Sequence, residues 1–406
     1  MGVLSAESVW KRHVIDGSSR GADGVKLADV NGDGLLDVTT GWEEGATVRL
    51  YLHPGKAKVR QPWPKVTVGS VCQPEDAVAA DLDGDGFIDV VSACEEGERT
   101  GIFVHWAPAD KRRLLEESAW TTAHFPAPAT DRRWLYAMPM DVDGRGGIDI
   151  VAGGKASAPK HRFPKEQQAW VGWFASPLKG DRRNLANWTW HPMSEAGWVM
   201  SLEQIDMDGD GDRDILLSDR RAALRGTRWL QNPGNGSDAQ RQPWKSHWVG
   251  GQDLEAMFLD VVDFDGDGLQ DVITAYKPRR ILIHRRLDAS GDRWATEALE
   301  IPSTAGTVKA VRAIDVNKDG RMDLVFTCEQ SEQGSGVMWL SRRTDGTGWD
   351  AHDISGTPGK QTGIKFDRIE LLDLDNDGDL DLMTTEERTP LGVIWYENPG
   401  AGSVAH

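Results

Sequence analysis

The sequence predicts an all-β protein built as a ring of seven four-stranded blades, a seven-bladed β-propeller. Three observations carry that prediction. A nine-residue acidic loop, DxDGDGxxD in its fullest form, recurs seven times at intervals of 52 to 65 residues. Short apolar runs of strand length flank each copy. A tryptophan opens a further run once per repeat, and the seventh such tryptophan stands before the first loop. A period of this size marks a propeller or another repeat array.

The loop is the first element. In DLDGDGFIDV, residues 81–90, Asp81, Asp83, Asp85 and Asp89 occupy positions 1, 3, 5 and 9, with Gly84 and Gly86 between them. Alternate positions of a tight loop can turn their side chains to one centre, and glycine supplies the positive φ angles that close it. Four carboxylates facing one another repel unless a cation sits among them. An all-oxygen, highly charged, flexible set suits Ca²⁺ better than Zn²⁺ or Mg²⁺. The loop is similar to the first part of an EF-hand, but it lacks the bidentate Glu at position 12. A strand-like run, DVVSA, follows it where an EF-hand has a helix.

Six copies carry the full set of expected ligands. These are Asp29, Asn31, Asp33 and Asp37; Asp81, Asp83, Asp85 and Asp89; and Asp206, Asp208, Asp210 and Asp214. The others are Asp263, Asp265, Asp267 and Asp271; Asp315, Asn317, Asp319 and Asp323; and Asp373, Asp375, Asp377 and Asp381. The third copy, Asp141 to Asp149, has Arg145 at position 5. Its guanidinium is expected to pair with Asp141, Asp143 and Asp149 in place of a metal, leaving this site weak or empty. The alternative is calcium held by the remaining oxygens and water.

The strands come next. GVKLADV leads into the first loop and DVTTGW leaves it, and runs of this length bounded by Gly and Asp read as strands. A third strand follows in each repeat, from TVRLYLHPG in the first to GVIWYENPG in the last. A fourth begins at Trp63, Trp120, Trp188, Trp244, Trp294 and Trp349. The last repeat ends after its third strand, so WKRHVIDG at Trp10 is expected to supply the fourth. Pairing the two chain ends, with residues 10–17 completing the C-terminal blade, closes the ring and leaves few exposed edges. Length alone suggests two or three domains. The unbroken repeat instead predicts one domain over 1–406.

Composition bounds the rest. Hydrophobic residues make up 39% of the chain, enough for a substantial core. No run of 18 apolar residues exists, so no membrane span is expected. The formal charge is −18, and six divalent ions would offset about twelve of those charges. Such acidity argues against nucleic acid as a partner. Cys72, Cys94 and Cys328 are too few for a disulfide scaffold. They read as small buried residues, with a Cys72–Cys94 bridge left open. The opening MGVLSAESVW lacks the basic start of a secretory leader. The need for abundant calcium still sets the expectation of a secreted or periplasmic monomer.

A loop joining first and second strands lies on one face of the disk. Second-to-third connections and the links between blades lie on the other, where a functional site is expected. Six residues beyond the final Asp of each loop stand Glu43, Glu95, Lys155, Arg220, Lys277, Glu329 and Glu387. All are charged in a chain that is 27% charged overall, so they read either as solvated strand ends or as a polar ring at the channel mouth. Three residues before each loop come Lys26, Val78, Met138, Glu203, Asp260, Arg312 and Glu370. Charges in such inner strands require partners, which predicts an ion-pair network along the channel. Trp134, beside Arg132 and Arg133, is expected near the mouth. Its ring suits the C–H faces of a sugar, and arginine grips acidic groups bidentately. The basic arc Lys155, Arg220 and Lys277 facing Glu43 and Glu95 would orient an anionic or dipolar ligand.

No nucleophile elbow, Walker loop, HExxH or paired CxxC is present. His13, His191, His247 and His352 each close a Trp-x-x-His on the fourth strand and read as structural.

On these loops the chain resembles the FG-GAP/VCBS repeat proteins, whose blades look like those of the integrin α-subunit propeller. The Trp-x-x-His strands and the WYENPG end are also similar, more loosely, to the propeller part of aldos-2-ulose dehydratase. The resemblance implies calcium in the loops and a role in adhesion, carbohydrate binding or catalysis. The expected function is a calcium-stabilised binding module for carbohydrate or another polar or anionic ligand, with protein as a further partner class. The second reading is a carbon–oxygen lyase acting on a carbohydrate, its acid and base drawn from Glu43, Glu95, Lys155, Lys277, Glu203 and Asp260.

Overall fold

The computed structural model describes residues 9–96, 100–126, 132–156, 169–356 and 362–400. The ends of the expected domain, 1–8 and 401–406, lie outside them. The first strand is β1 (Lys11–Asp16). Blade I is β2 (Ala22–Ala28), β3 (Asp37–Trp42), β4 (Thr47–Tyr51) and β5 (Lys65–Ser70). Blade II is β6 (Pro74–Ala80), β7 (Asp89–Cys94), β8 (Gly101–Trp106) and β9 (Thr121–His124). Blade III is β10 (Arg133–Met140), β11 (Asp149–Lys155), β12 (Ala169–Ala175) and β13 (Thr189–Ala196). Blade IV is β14 (Val199–Ile205), β15 (Asp214–Asp219), β16 (Gly226–Gln231) and β17 (Lys245–Gly250). Blade V is β18 (Glu255–Val262), β19 (Asp271–Lys277), β20 (Arg280–Arg286) and β21 (Trp294–Glu300). Blade VI is β22 (Thr307–Ile314), β23 (Asp323–Glu329), β24 (Val337–Arg342) and β25 (Trp349–Asp353). Blade VII holds β26 (Phe366–Leu372), β27 (Asp381–Glu386) and β28 (Gly392–Glu397).

Each sheet runs antiparallel in chain order, except the last, which runs β1–β28–β27–β26. The N-terminal strand therefore completes blade VII, as the offset tryptophan predicts. Its register pairs Lys11 with Glu397 and His13 with Trp395. Trp10 and Ile15 are buried, and the His13 ring stacks on Trp395 at 4.3 Å and bonds Glu397 at 2.6 Å. Asp16 accepts from Arg49 Nη1 at 2.6 Å, the Tyr51 hydroxyl at 2.9 Å and Lys65 Nζ at 2.5 Å. One strand thus closes blade VII and ties it to blade I.

The tryptophan that opens each outer strand has a local task. The indole N–H groups of Trp63, Trp120, Trp188, Trp244 and Trp294 donate to the carbonyls of Val59, Leu114, Arg182, Gln240 and Gly291. Each staples the connection between third and fourth strands. The histidine three residues on lies over a third-strand tryptophan. His247 stacks on Trp229 at 4.2 Å and His352 on Trp339 at 4.0 Å, and His191 tilts against Trp173 at 5.0 Å. All three cysteines are free, so the bridge left open between Cys72 and Cys94 is not formed.

Two further histidines are expected to make the fold acid-sensitive. His105 is fully buried, with its ring nitrogens 2.9 Å from Ser92 Oγ and 2.9 Å from Thr122 Oγ1. His284 is fully buried with Nδ1 2.9 Å from Thr296 Oγ1. Burial holds them down to about 3 and about 4. Both values lie below the ordinary histidine pKa, so the unfolded chain takes the protons first. The stability these rings contribute is complete above about pH 6.5 and is lost as pH falls towards 4. Comparing pH 6.5 with pH 5 at saturating calcium, about 2 kcal/mol per histidine should disappear. The check is the pH slope of urea unfolding, which His105→Gln and His284→Gln should flatten. An unchanged slope in both variants refutes the assignment.

Candidate functional site

Two sets of charged groups occupy opposite faces of the ring. The first is the acidic loops. Positions 4 and 6 have left-handed backbone throughout, with φ +80° at Gly84 and +86° at Gly86. Lys318 and Asn376 adopt the same turn at position 4, at φ 59° each. The turn directs N–H groups inward. Asp81 accepts from Gly84 N at 2.8 Å and Gly86 N at 3.0 Å. Asp83 accepts from Asp85 N at 3.0 Å. One carboxylate oxygen each from Asp81, Asp83 and Asp85 lie within 4.8 Å of one another, and Asp206, Asp208 and Asp210 repeat the arrangement. This hard, all-oxygen donor set fits Ca²⁺.

Position 9 does more than the sequence reading allows. The seven aspartates there are almost wholly buried and bind backbone N–H groups of two elements. Asp37 accepts from Val30 N at 2.9 Å and His53 N at 2.8 Å. Asp89 accepts from Leu82 N at 3.3 Å and Ala107 N at 2.9 Å. Asp149, Asp214, Asp271, Asp323 and Asp381 bridge position 2 of their loop to the end of the third strand in the same way. Burial pushes Asp89 up to about 7 despite these donors.

The third loop departs from expectation in detail. Arg145 reaches Asp143 at 3.4 Å, and its guanidinium also donates to the carbonyl of Gly236 at 3.4 Å. The expected pairing of its guanidinium with Asp141 and Asp149 is not made, because the side chain runs out along blade IV. The second loop has a cation the sequence reading missed. Arg183, from the connection in blade III, pairs with Asp83 and with Asp85 at 2.8 Å. No local pattern marks it, since about 100 residues separate the partners.

The second set is the channel mouth on the opposite face. The strand-end residues reach it because their backbones bond to the links entering the blades. Glu43 N donates to Gly21 O at 2.6 Å, Arg220 N to Trp198 O at 2.8 Å and Glu387 N to Lys365 O at 3.0 Å. A cavity of about 220 Å³ opens there, lined by Glu43, Glu95, Lys155, Arg220 and Glu329 of the expected ring. The blade entrances, expected on this face, supply a second ring. Asp23, Glu75, Leu135, Met200, Met257, Lys309 and Asp367, each six residues before a loop, all line the cavity. Strict alternation from the expected inner positions would point elsewhere. Every innermost strand breaks register near this height, at Asp23/Lys26 in blade I and Val308/Ala310 in blade VI, for example. A bulge turns an additional residue to the same side.

Deeper charges form the expected network. Arg312 bonds Asp260 at 2.7 Å and approaches Glu370 at 3.6 Å. Lys26 is held below the ordinary lysine range by burial and by Arg368, against the pull of Asp76 and Glu203. These groups do not line the mouth cavity. Arg368 lies over Tyr136 at 4.8 Å and Phe258 at 4.9 Å from their ring centres, separating the two levels.

Trp134 is not at the mouth. It is fully buried between blades, against Trp190 at 5.2 Å and Phe174 at 6.2 Å. The aromatic wall is Trp198, with Lys155, Arg220 and Arg221 at 4.4, 4.4 and 4.8 Å from its ring centre.

The basic arc is neutralised. Lys155 pairs with Glu95, Lys277 with Glu329, Arg220 with Glu255 and Lys365 with Glu387. Lys309 bonds Glu387 at 2.5 Å and approaches Asp367 at 3.4 Å. Among the described residues no cation forms an ion pair with Asp23, Glu43 or Glu75, although Lys155 and Lys365 lie close enough to attract all three. Oxygens of Glu43, Glu75 and Glu95 fall within 4.8 Å of one another, as do those of Asp23, Glu43 and Glu387. Desolvation, with Asp23 and Glu43 adding repulsion, pushes Glu75 up to about 8. Desolvation and the neighbouring Lys309 bring Lys365 down to about 8.

Residues 29–92, 206–274, 263–326 and 315–384 match the family model of the FG-GAP-like repeat. No curated protein matches the chain. Among solved structures, an Agrocybe aegerita lectin, described as specifically recognising non-reducing terminal N-acetylglucosamine, is 16% identical. It covers 87% of this chain and 81% of its own, at a TM-score of 0.40. BBS1N, solved in complex with ARL6DN, is 9% identical. That match covers 98% of both chains at a TM-score of 0.55, a likeness of fold. Among the described residues no helix is long and apolar enough to cross a membrane.

Proposed function

The chain belongs to the FG-GAP-like repeat family, and from that premise we propose that it is a calcium-stabilised binding module whose ligand is a carbohydrate or a similar polar molecule. The ligand enters the channel mouth opposite the acidic loops. The observation that carries this reading is the cavity itself. Twelve of its sixteen lining residues come from the two rings, and Trp198 supplies an aromatic face beside them. Closely placed hydrogen-bonding charges next to apolar and aromatic surface suit a sugar. Neutralisation of Lys155, Arg220 and Lys277 argues against the anionic ligand that the sequence suggests.

A second reading has one observation in its favour. Glu75 and Lys365, both displaced to about 8 from opposite sides, line the same cavity. Such a pair suits proton transfer in a lyase acting on a carbohydrate.

The test is a panel of neutral, acidic and amino sugars, read by calorimetry and by ultraviolet absorbance from new double bonds. Trp198→Ala and Glu43→Gln should each weaken binding by about tenfold or more. Lys245→Ala, on the outer strand β17, should leave it unchanged. Equal binding by all three variants places the site elsewhere. Absorbance that grows with time establishes the lyase.

A further inference from the structure

Around the mouth, Asp23, Glu43 and Glu75 form no ion pair with any described side chain, and the two lysines that attract all three, Lys155 and Lys365, are already paired with Glu95 and Glu387. Asp23 is 8% exposed and faces the cavity, and its hydrogen-bonding neighbour is another carboxyl group, that of Glu75. No described N–H, hydroxyl or cation donates to it. The bulges set Met200 and Met257 of blades IV and V across the axis from Asp23 of blade I, with Leu135 of blade III beside them. The cavity therefore has an acidic wall and an apolar wall.

We propose that the mouth seats an organic amine, with its ammonium group among Asp23, Glu43 and Glu75 and its carbon skeleton against Leu135, Met200 and Met257. Within the carbohydrate reading, on which this rests, the ligand class is a sugar with a free amino group. Three carboxylates give an ammonium group one acceptor for each of its protons. Charge-assisted bonds of this kind are the strong ones. An organic amine is favoured over a bare divalent ion for two reasons. About 220 Å³ is far more room than an ion needs, and an ion gains nothing from thioether and leucine walls. The raised Glu75 supports the assignment, since a carboxyl held neutral by its neighbours is one that an incoming cation would ionise.

The experiment is calorimetric titration of the whole chain at saturating calcium with glucosamine, N-acetylglucosamine, glucose, glucuronate and n-butylamine. Glucosamine should bind about tenfold tighter than glucose or N-acetylglucosamine, and butylamine should compete with it. Asp23→Asn and Glu75→Gln, each checked for an unchanged melting temperature, should abolish that preference. If glucose, N-acetylglucosamine or glucuronate binds as well as glucosamine, the amine assignment is overturned and the carbohydrate reading stands. If butylamine binds and no sugar does, the carbohydrate reading fails and the amine subsite remains. Binding that only further Ca²⁺ or Mn²⁺ displaces, equally for every sugar, assigns the carboxylates to a metal and overturns the proposal.

Discussion

A chain that begins after Gly17 should lose cooperative folding or melt on the order of 10 °C lower. Its shortened chain lacks β1, so β28 becomes an open edge with unpaired backbone groups. Trp10 and Ile15 leave the core; burial of a side chain such as isoleucine contributes about 1.5–3 kcal/mol. The stacking of His13 on Trp395 goes with them, as do the bonds from Asp16 to Arg49, Tyr51 and Lys65. These losses fall on one junction, where blade VII meets blade I. A synthetic peptide spanning residues 9–20 should restore part of the transition by filling the vacant edge. The milder Ile15→Ala should cost about 2–5 kcal/mol through the cavity it leaves. Calorimetric melting decides the matter, and an unchanged melting temperature in the truncated chain would sink the closure model.

Calcium removal is the second large effect expected. Six loops are proposed to hold the ion, and carboxylates that converge as they do at Asp81 and Asp206 repel one another without it. A ligand that binds only the folded state stabilises it by mass action, about 2.7 kcal/mol for a site filled at one hundred times its Kd. Several such sites together should shift the melting temperature between millimolar calcium and excess EGTA by on the order of 15 °C. Asp206→Asn should lower the bound calcium by one ion. Asp141→Asn should change it little, because Arg145 stands at position 5 of that loop. Arg183, which already bridges Asp83 and Asp85, should make the second loop weaker than the fourth, and Arg183→Ala should tighten it. Metal analysis of the dialysed protein provides the count. If EGTA leaves the melting curve in place and no calcium is found, the loops are hydrogen-bonded turns only.

The sequence by itself determined the ring. Strand runs, loop positions and the once-per-repeat tryptophan are local patterns, and local patterns survive folding without reinterpretation. The place of Trp10 ahead of the first loop was enough to predict that β1 joins β28. The charged residues six beyond each loop were also legible, because a strand of fixed length carries its end to a fixed height on the channel. The tertiary structure decided the rest. A register break in each innermost strand brought Asp23, Glu75 and Lys309 into the cavity, and no residue type announces such a break. Trp134 and Trp198 both stand near a blade entrance in the sequence, but one packs between sheets and the other lines the cavity. Arg183 and Asp83 lie about 100 residues apart. Whether a lysine such as Lys155 is free or paired depends on which carboxylate the neighbouring blade sets beside it. Side-chain partners across blades are non-local, and their choice changes the mouth from a basic arc into a cavity of paired lysines beside the carboxylates of Asp23, Glu43 and Glu75.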